Sequence, residues 1–164
     1  MRGLFQLRGP EDLFKKLEYD FARIEQNRTD PFPAFDFFVT ARHLPEWFLP
    51  GNENGTKRSD LVKENILLQV CENLADGSKH FEVSAPRHRF VATTTSYIGP
   101  FDPAVFDAGV FDVGNLFVLL TGEAAAAFGE RVAVQNRAEK VLTYWREKLK
   151  GSKPDSVTPP NPTS

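Results

Sequence analysis

The sequence predicts a mainly helical α+β domain, an antiparallel four-helix bundle with a small β-hairpin or meander inserted before the last helix. Three observations carry this. Apolar residues recur at helical spacing through the first half of the chain, the pattern shifts to that of strands near residue 81, and the helical period returns near residue 131.

The first helix opens at Pro10-Glu11-Asp12, with proline in the first turn and two acids at the positive end of the helix dipole. Leu13, Leu17, Phe21 and Ile24 then mark one buried face. Asp30-Pro31 and Phe32-Pro33 end that helix, because a residue before proline is pushed out of the helical region. The second helix, about Ala34 to Phe48, is apolar around most of its circumference, which suits the middle of a bundle. Pro45 removes one backbone hydrogen bond and predicts a kink or break near Leu44.

After the connection PGNENGTK, Ser59 can cap a third helix whose broad face holds Leu61, Val62, Ile66, Leu67, Val70 and Leu74, ending near Asp76-Gly77. Phe81 to Val83 and Phe90 to Tyr97 read as short strands, and Leu116 to Leu120 is a third apolar run. Glu123 to Phe128 is open to either helix or strand. From about Arg131 to Lys150, Val134, Ala138, Val141 and Trp145 line one face of a last helix. Residues 1–150 therefore form a single domain with its β insertion at about 81–127, and the folded part runs from about residue 10. Residues 151–164, with four prolines among the last thirteen positions, form a disordered tail.

Composition sets limits on function. At 164 residues, folding buries roughly two thirds of the extended surface, so a core needs no staples. Fifteen Phe, two Trp and three Tyr predict a core of edge-to-face rings. A net charge of −2 gives no global field to hold a polyanion. A single Cys71 excludes an intramolecular disulfide and a cysteine-rich zinc cluster. No signal-like or membrane-spanning run occurs, so a cytoplasmic location without membrane contact is the default expectation.

The best site candidate is a stripe on the second helix. Asp36, Thr40, His43 and Trp47 stand at offsets of four, three and four, and a carboxylate near an imidazole can orient it for acid–base work. The competing expectation is a solvent edge, or a structural network tying this helix to its neighbour. If the second and third helices are antiparallel, Asp36 faces roughly Glu72, and Lys79 and His80 come near the start of the second helix. Arg87, His88 and Arg89 could touch phosphates, although three basic residues beside Pro86 also suit an exposed turn. Phe101-Asp102, Phe106-Asp107 and Phe111-Asp112 form a five-residue near-repeat, read as a loop pinned by its rings.

Gly-rich phosphate loops, His-Glu-x-x-His, Cys-x-x-Cys and Gly-x-Ser-x-Gly are absent, and three scattered histidines do not suggest zinc. No metal and no cofactor is expected.

The run Asp36-Phe37-Phe38-Val39-Thr40-Ala41 with His43-Leu44-Pro45-Glu46-Trp47, followed by Cys71, Leu74-Ala75 and Lys79-His80-Phe81, resembles a pattern in small uncharacterised bacterial proteins, over roughly residues 34 to 149. That resemblance implies a domain boundary and no activity. The helical arrangement also resembles HEPN-type bundles, which include ribonucleases and nucleotidyltransferase partners. Their nucleases carry Arg, four to six residues, then His. Here Asp36, Phe37 and Phe38 occupy those places before His43, and Asn73, Leu74 and Ala75 before His80.

The function expected from these features is non-enzymatic binding, as a homo-oligomer or as a subunit of a small bacterial system. The alternatives are a metal-independent hydrolase or ribonuclease using His43 or His80 with Asp36 and Lys79, and a nucleic-acid-binding module built on the local basic patch.

Overall fold

The computed structural model describes residues 5–79, 90–97 and 114–151. The expected strand at Phe81–Val83, the Phe-Asp repeat and the Pro-rich tail lie outside these residues. Six α-helices and three strands are present among them.

Helix α1, Pro10–Gln26, buries Leu13, Leu17 and Ile24 of the face its sequence marks as apolar, adds Phe14, and leaves Phe21 half-buried. Helix α2, Pro31–Phe48, begins three residues earlier than predicted. Asp30 caps it by accepting a hydrogen bond from the Phe32 amide at 2.9 Å. Pro31 and Pro33 fall in the first turn, where amides have no intrahelical acceptor and proline costs nothing. Pro45 does not break the helix either. It sits in the last turn, and the Leu49 amide still reaches the Pro45 carbonyl at 3.0 Å.

The single third helix is instead two. Helix α3, Gly55–Lys63, follows a short 3₁₀ turn at Asn52–Asn54, and α4 runs over Ile66–Lys79. Asn65 makes the break: its Oδ1 accepts hydrogen bonds from the amides of Leu67 and Leu68 at 3.0 and 3.4 Å, capping a new helix. Ser59, predicted as the cap, lies inside α3.

Strands β1, Val91–Tyr97, β2, Asn115–Leu120, and β3, Arg131–Ala133, form an antiparallel sheet with β2 in the centre. Thr94 pairs with Val118, and Val118 with Val132. A bulge interrupts the β1 ladder between Val91 and Thr93. The segment Gly122–Phe128, left open by its sequence, is helix α5, in keeping with its four alanines. Gly129 stops it at φ +92°, a conformation that favours glycine. The chain then enters β3, which the sequence pattern had merged with the last helix. Helix α6 starts at Val134 and runs to Gly151.

Helix α1 packs between α2 and α6, α2 also packs on α4, and α6 lies against β2. The amide of Leu116 in β2 donates to the Arg28 carbonyl at 2.9 Å, so the sheet is pinned to the α1–α2 connection. Phe37 and Trp145 are fully buried. Phe37 meets Phe38 edge-on at 5.3 Å, and Trp145 meets Phe48 at 5.8 Å with planes 65° apart.

Trp145→Ala removes the largest fully buried side chain, which α6 holds against Phe48 of α2. We expect a loss of roughly 3–5 kcal/mol in the free energy of unfolding, measured by denaturant titration.

Candidate functional site

The polar stripe on α2 is divided between two neighbours. Thr40 is buried against α1, where its hydroxyl lies 3.0 Å from Asp20 Oδ2 and 2.8 Å from the carbonyl of Asp36 on its own helix. It shares one proton between these acceptors and accepts from Lys16 Nζ at 3.0 Å. Lys16 also pairs with Asp20, whose carboxylate is only 1% exposed. Asp36 accepts from Arg23 Nη1 at 2.7 Å, and Arg23 stands 3.8 Å from Asp20 Oδ1. The hydrogen bond to Asp36 pushes the Arg23 guanidinium above its ordinary pKa.

Asp36 and Thr40 thus tie α2 to α1. His43, further along the stripe, faces another carboxylate: its Nδ1 is 3.3 Å from Glu46 Oε2 at the surface. Trp47 is half-buried and packs against the core. The structure therefore places Asp36 with Arg23 and His43 with Glu46. Lys79 is the last residue of α4, and His80, Arg87, His88 and Arg89 lie outside the described residues.

Arg42, outside the Asp36–Thr40–His43–Trp47 stripe, joins α2 to α4. Its Nε donates to Asp76 Oδ1 at 3.1 Å, while Nη1 stands 3.6 Å from Glu46 and Nη2 3.9 Å from Glu72. Arg42, rather than Asp36, is the residue of α2 that faces Glu72. The signal available in the sequence was the pair Glu72 and Asp76, one helical turn apart on a single face of α4, which calls for a cation on the helix it packs against.

Arg42 also lines a cleft of about 590 Å³ between α2, α3 and α4, with Phe90 at its inner end. Cys71 contributes to its floor. Burial pushes the thiol up to about 12, with the Arg137 charge offsetting a smaller part of the shift. Among the described residues, no group of three or more His, Cys, Asp or Glu side chains could hold a metal ion. No helix among them is long and apolar enough to cross a membrane.

No protein-family model, curated protein or solved structure matches this chain.

Three outcomes follow from this geometry. Thr40→Val removes the hydroxyl from a buried carboxylate and is expected to cost about 1–2 kcal/mol in unfolding free energy, read by thermal or denaturant melts. Cys71 is held as the neutral thiol, so a disulfide reagent at pH 8 should label it only at the rate of unfolding. Because its folded pKa is raised from 9.0, the stability it contributes is intact below pH 9 and falls as pH rises toward 12. Melts across that range test the sign.

Proposed function

We propose that the protein acts without catalysis, by protein–protein association, and that it forms a homo-oligomer through the outer face of the α1–α2 hairpin. The helices α1, α2, α4 and α6 serve in this proposal as a four-helix bundle that presents that face. The observation that carries it is a set of exposed rings. Phe32 is 72% exposed, Phe35 43% and Tyr19 65%; among the described residues Phe5, ahead of α1, is the other exposed large apolar side chain.

The rings form one surface. Phe32 and Phe35 stand three residues apart on α2 and are neighbours. Asp36, one turn after Phe32, holds Arg23, whose guanidinium lies 6.0 Å from the Tyr19 ring. The two charges within the surface satisfy each other, so it requires no oppositely charged partner. A second copy of the same surface suits it, because a two-fold contact is self-complementary and every ring-to-ring contact it makes occurs twice.

A hydrolase built on His43 or His80 with Asp36 and Lys79 needs Asp36 beside an imidazole. Asp36 instead holds Arg23 at 2.7 Å, and His43 meets Glu46.

Sedimentation equilibrium tests the association. The wild-type chain should show a mass that rises with concentration, and the Phe32→Ser/Phe35→Ser variant should remain a monomer with an unchanged melting temperature. A wild-type monomer at every concentration, or a variant that assembles as well as wild type, would overturn the proposal.

A further inference from the structure

The cleft between α2, α3 and α4 is lined from the second half of α2, whereas Phe32 and Phe35 stand in its first turns, and the charge of the cleft is distributed unevenly. Its floor is apolar and buried, formed by Ala41, Pro45, Leu68, Cys71 and Phe90. The α3 side carries Arg58, Ser59 and Lys63. Arg58 Nη1 donates to the carbonyls of Leu49 and Gly51 at 2.6 and 2.7 Å. Those acceptors are neutral, so they orient the guanidinium without cancelling its charge. Lys63 has no acidic partner among the described residues. Ser59, one helical turn before Lys63, adds a hydroxyl on the same face.

The α2 and α4 sides have the opposite balance. Arg42 is the one cation they contribute to the lining, and it serves three carboxylates, with Nε engaged by Asp76 and the terminal nitrogens near Glu46 and Glu72. The separations of 3.6 and 3.9 Å to those glutamates exceed hydrogen-bond length. Glu72 therefore retains acceptor capacity toward the cleft, and Glu46, whose Oε2 meets His43 Nδ1 at 3.3 Å, retains it on Oε1. A ligand that was only anionic would meet them, and one that was only cationic would meet Arg58 and Lys63. A dipolar ligand with an apolar body satisfies every part of the lining.

We propose that this cleft binds a short hydrophobic peptide with both termini free. The α-carboxylate is held by Lys63, Ser59 and Arg58, the α-ammonium by Glu46 and Glu72, and the side chains lie over the apolar floor. The volume of about 590 Å³ is within the range of small-ligand sites and suits two or three residues. A charge-assisted hydrogen bond at each end gives selectivity for free termini over capped ones.

The test uses the dipeptide Leu-Phe, its C-terminal amide and its N-acetyl derivative, each titrated into the full chain and followed by amide chemical shifts and calorimetry. Free Leu-Phe should perturb α2, α3 and α4, and capping either end should weaken binding roughly tenfold. Lys63→Glu should abolish the preference for the acid over the amide. Glu72→Gln should reduce the preference for the free amine, leaving the carboxylate preference intact. Neither variant touches the α1–α2 rings, so the outcome is independent of oligomer formation. The proposal is overturned if free Leu-Phe leaves these resonances unmoved, or if all three peptides bind alike. The peptide series alone decides this even where a variant fails to fold.

Discussion

The buried contact among Lys16, Asp20 and Thr40 fixes the relation of α1 to α2, and much of the surface chemistry follows from it. Asp20 is an acid removed from water, stable there because it meets an ammonium and a hydroxyl at once. Sliding the two helices by a turn would leave Lys16 on Asp20, both being on α1, but would take the Thr40 hydroxyl away from a carboxylate that is 1% exposed, at a cost of about 1–3 kcal/mol. Thr40 therefore has to face α1. With about 100° per residue in an α-helix, Arg42 then points roughly 200° away, toward α4 and its two acids. Phe32 and His43 are left on an arc facing solvent, and Phe35 lies about two turns before Arg42 on the same side of α2. One buried acid thus positions the rings, the histidine and the arginine of the cleft.

This dependence explains why the helices were legible in the sequence and their partners were not. Burial of Leu13, Leu17 and Ile24, and of Val134, Ala138, Val141 and Trp145, is written in a period that local spacing shows directly. The breaks are written in single side chains. Asn65 splits the predicted third helix because its amide oxygen offers the Leu67 amide a better acceptor than a continuing helix would, and an asparagine inside an apolar pattern is easily read as an exposed position. Pro31, Pro33 and Pro45 were read as breakers, whereas in the first and last turns of α2 they remove bonds the helix can spare. Strand β3 spans only Arg131–Ala133 and depends on pairing with β2, so its own residues carry almost no signal.

The stripe Asp36, Thr40, His43 and Trp47 was visible for the same reason as the helices, since its spacing is local. What each member does was not visible, because Lys16, Asp20 and Arg23 lie on another helix. A single helix reveals that a polar group is buried, and the chain elsewhere decides whether its partner is a structural ion or a ligand. Asp36 and Thr40 have structural partners. Arg42 differs in that it lines a cleft while it is shared among three carboxylates, hydrogen-bonded through Nε to Asp76 and within ion-pair distance of Glu46 and Glu72. One arginine spread over three acids leaves that side of the cleft with excess negative charge.

Arg137 presents the opposite economy at the junction of α4, α5 and α6. It is 1% exposed, and among the described residues its Nε and Nη1 have no acceptor. Burial lowers its pKa, and the nearby Cys71 thiol opposes that shift only in part. The main compensation is the Phe128 ring, whose centroid lies 3.8 Å from the guanidinium carbon. A desolvated cation–π contact contributes about 2 kcal/mol, less than the several kcal/mol that burying the charge costs. The deficit is offset by the apolar packing of Val134, Ala138 and Val141 on the same face of α6, so this junction holds together through its hydrophobic surroundings. The α1–α2 contact holds through its charges. Substitutions in the apolar face of α6 therefore remove what compensates Arg137, and Arg137→Met, which keeps the stem and removes the charge, should relieve the junction where Asp20→Leu would strand Lys16.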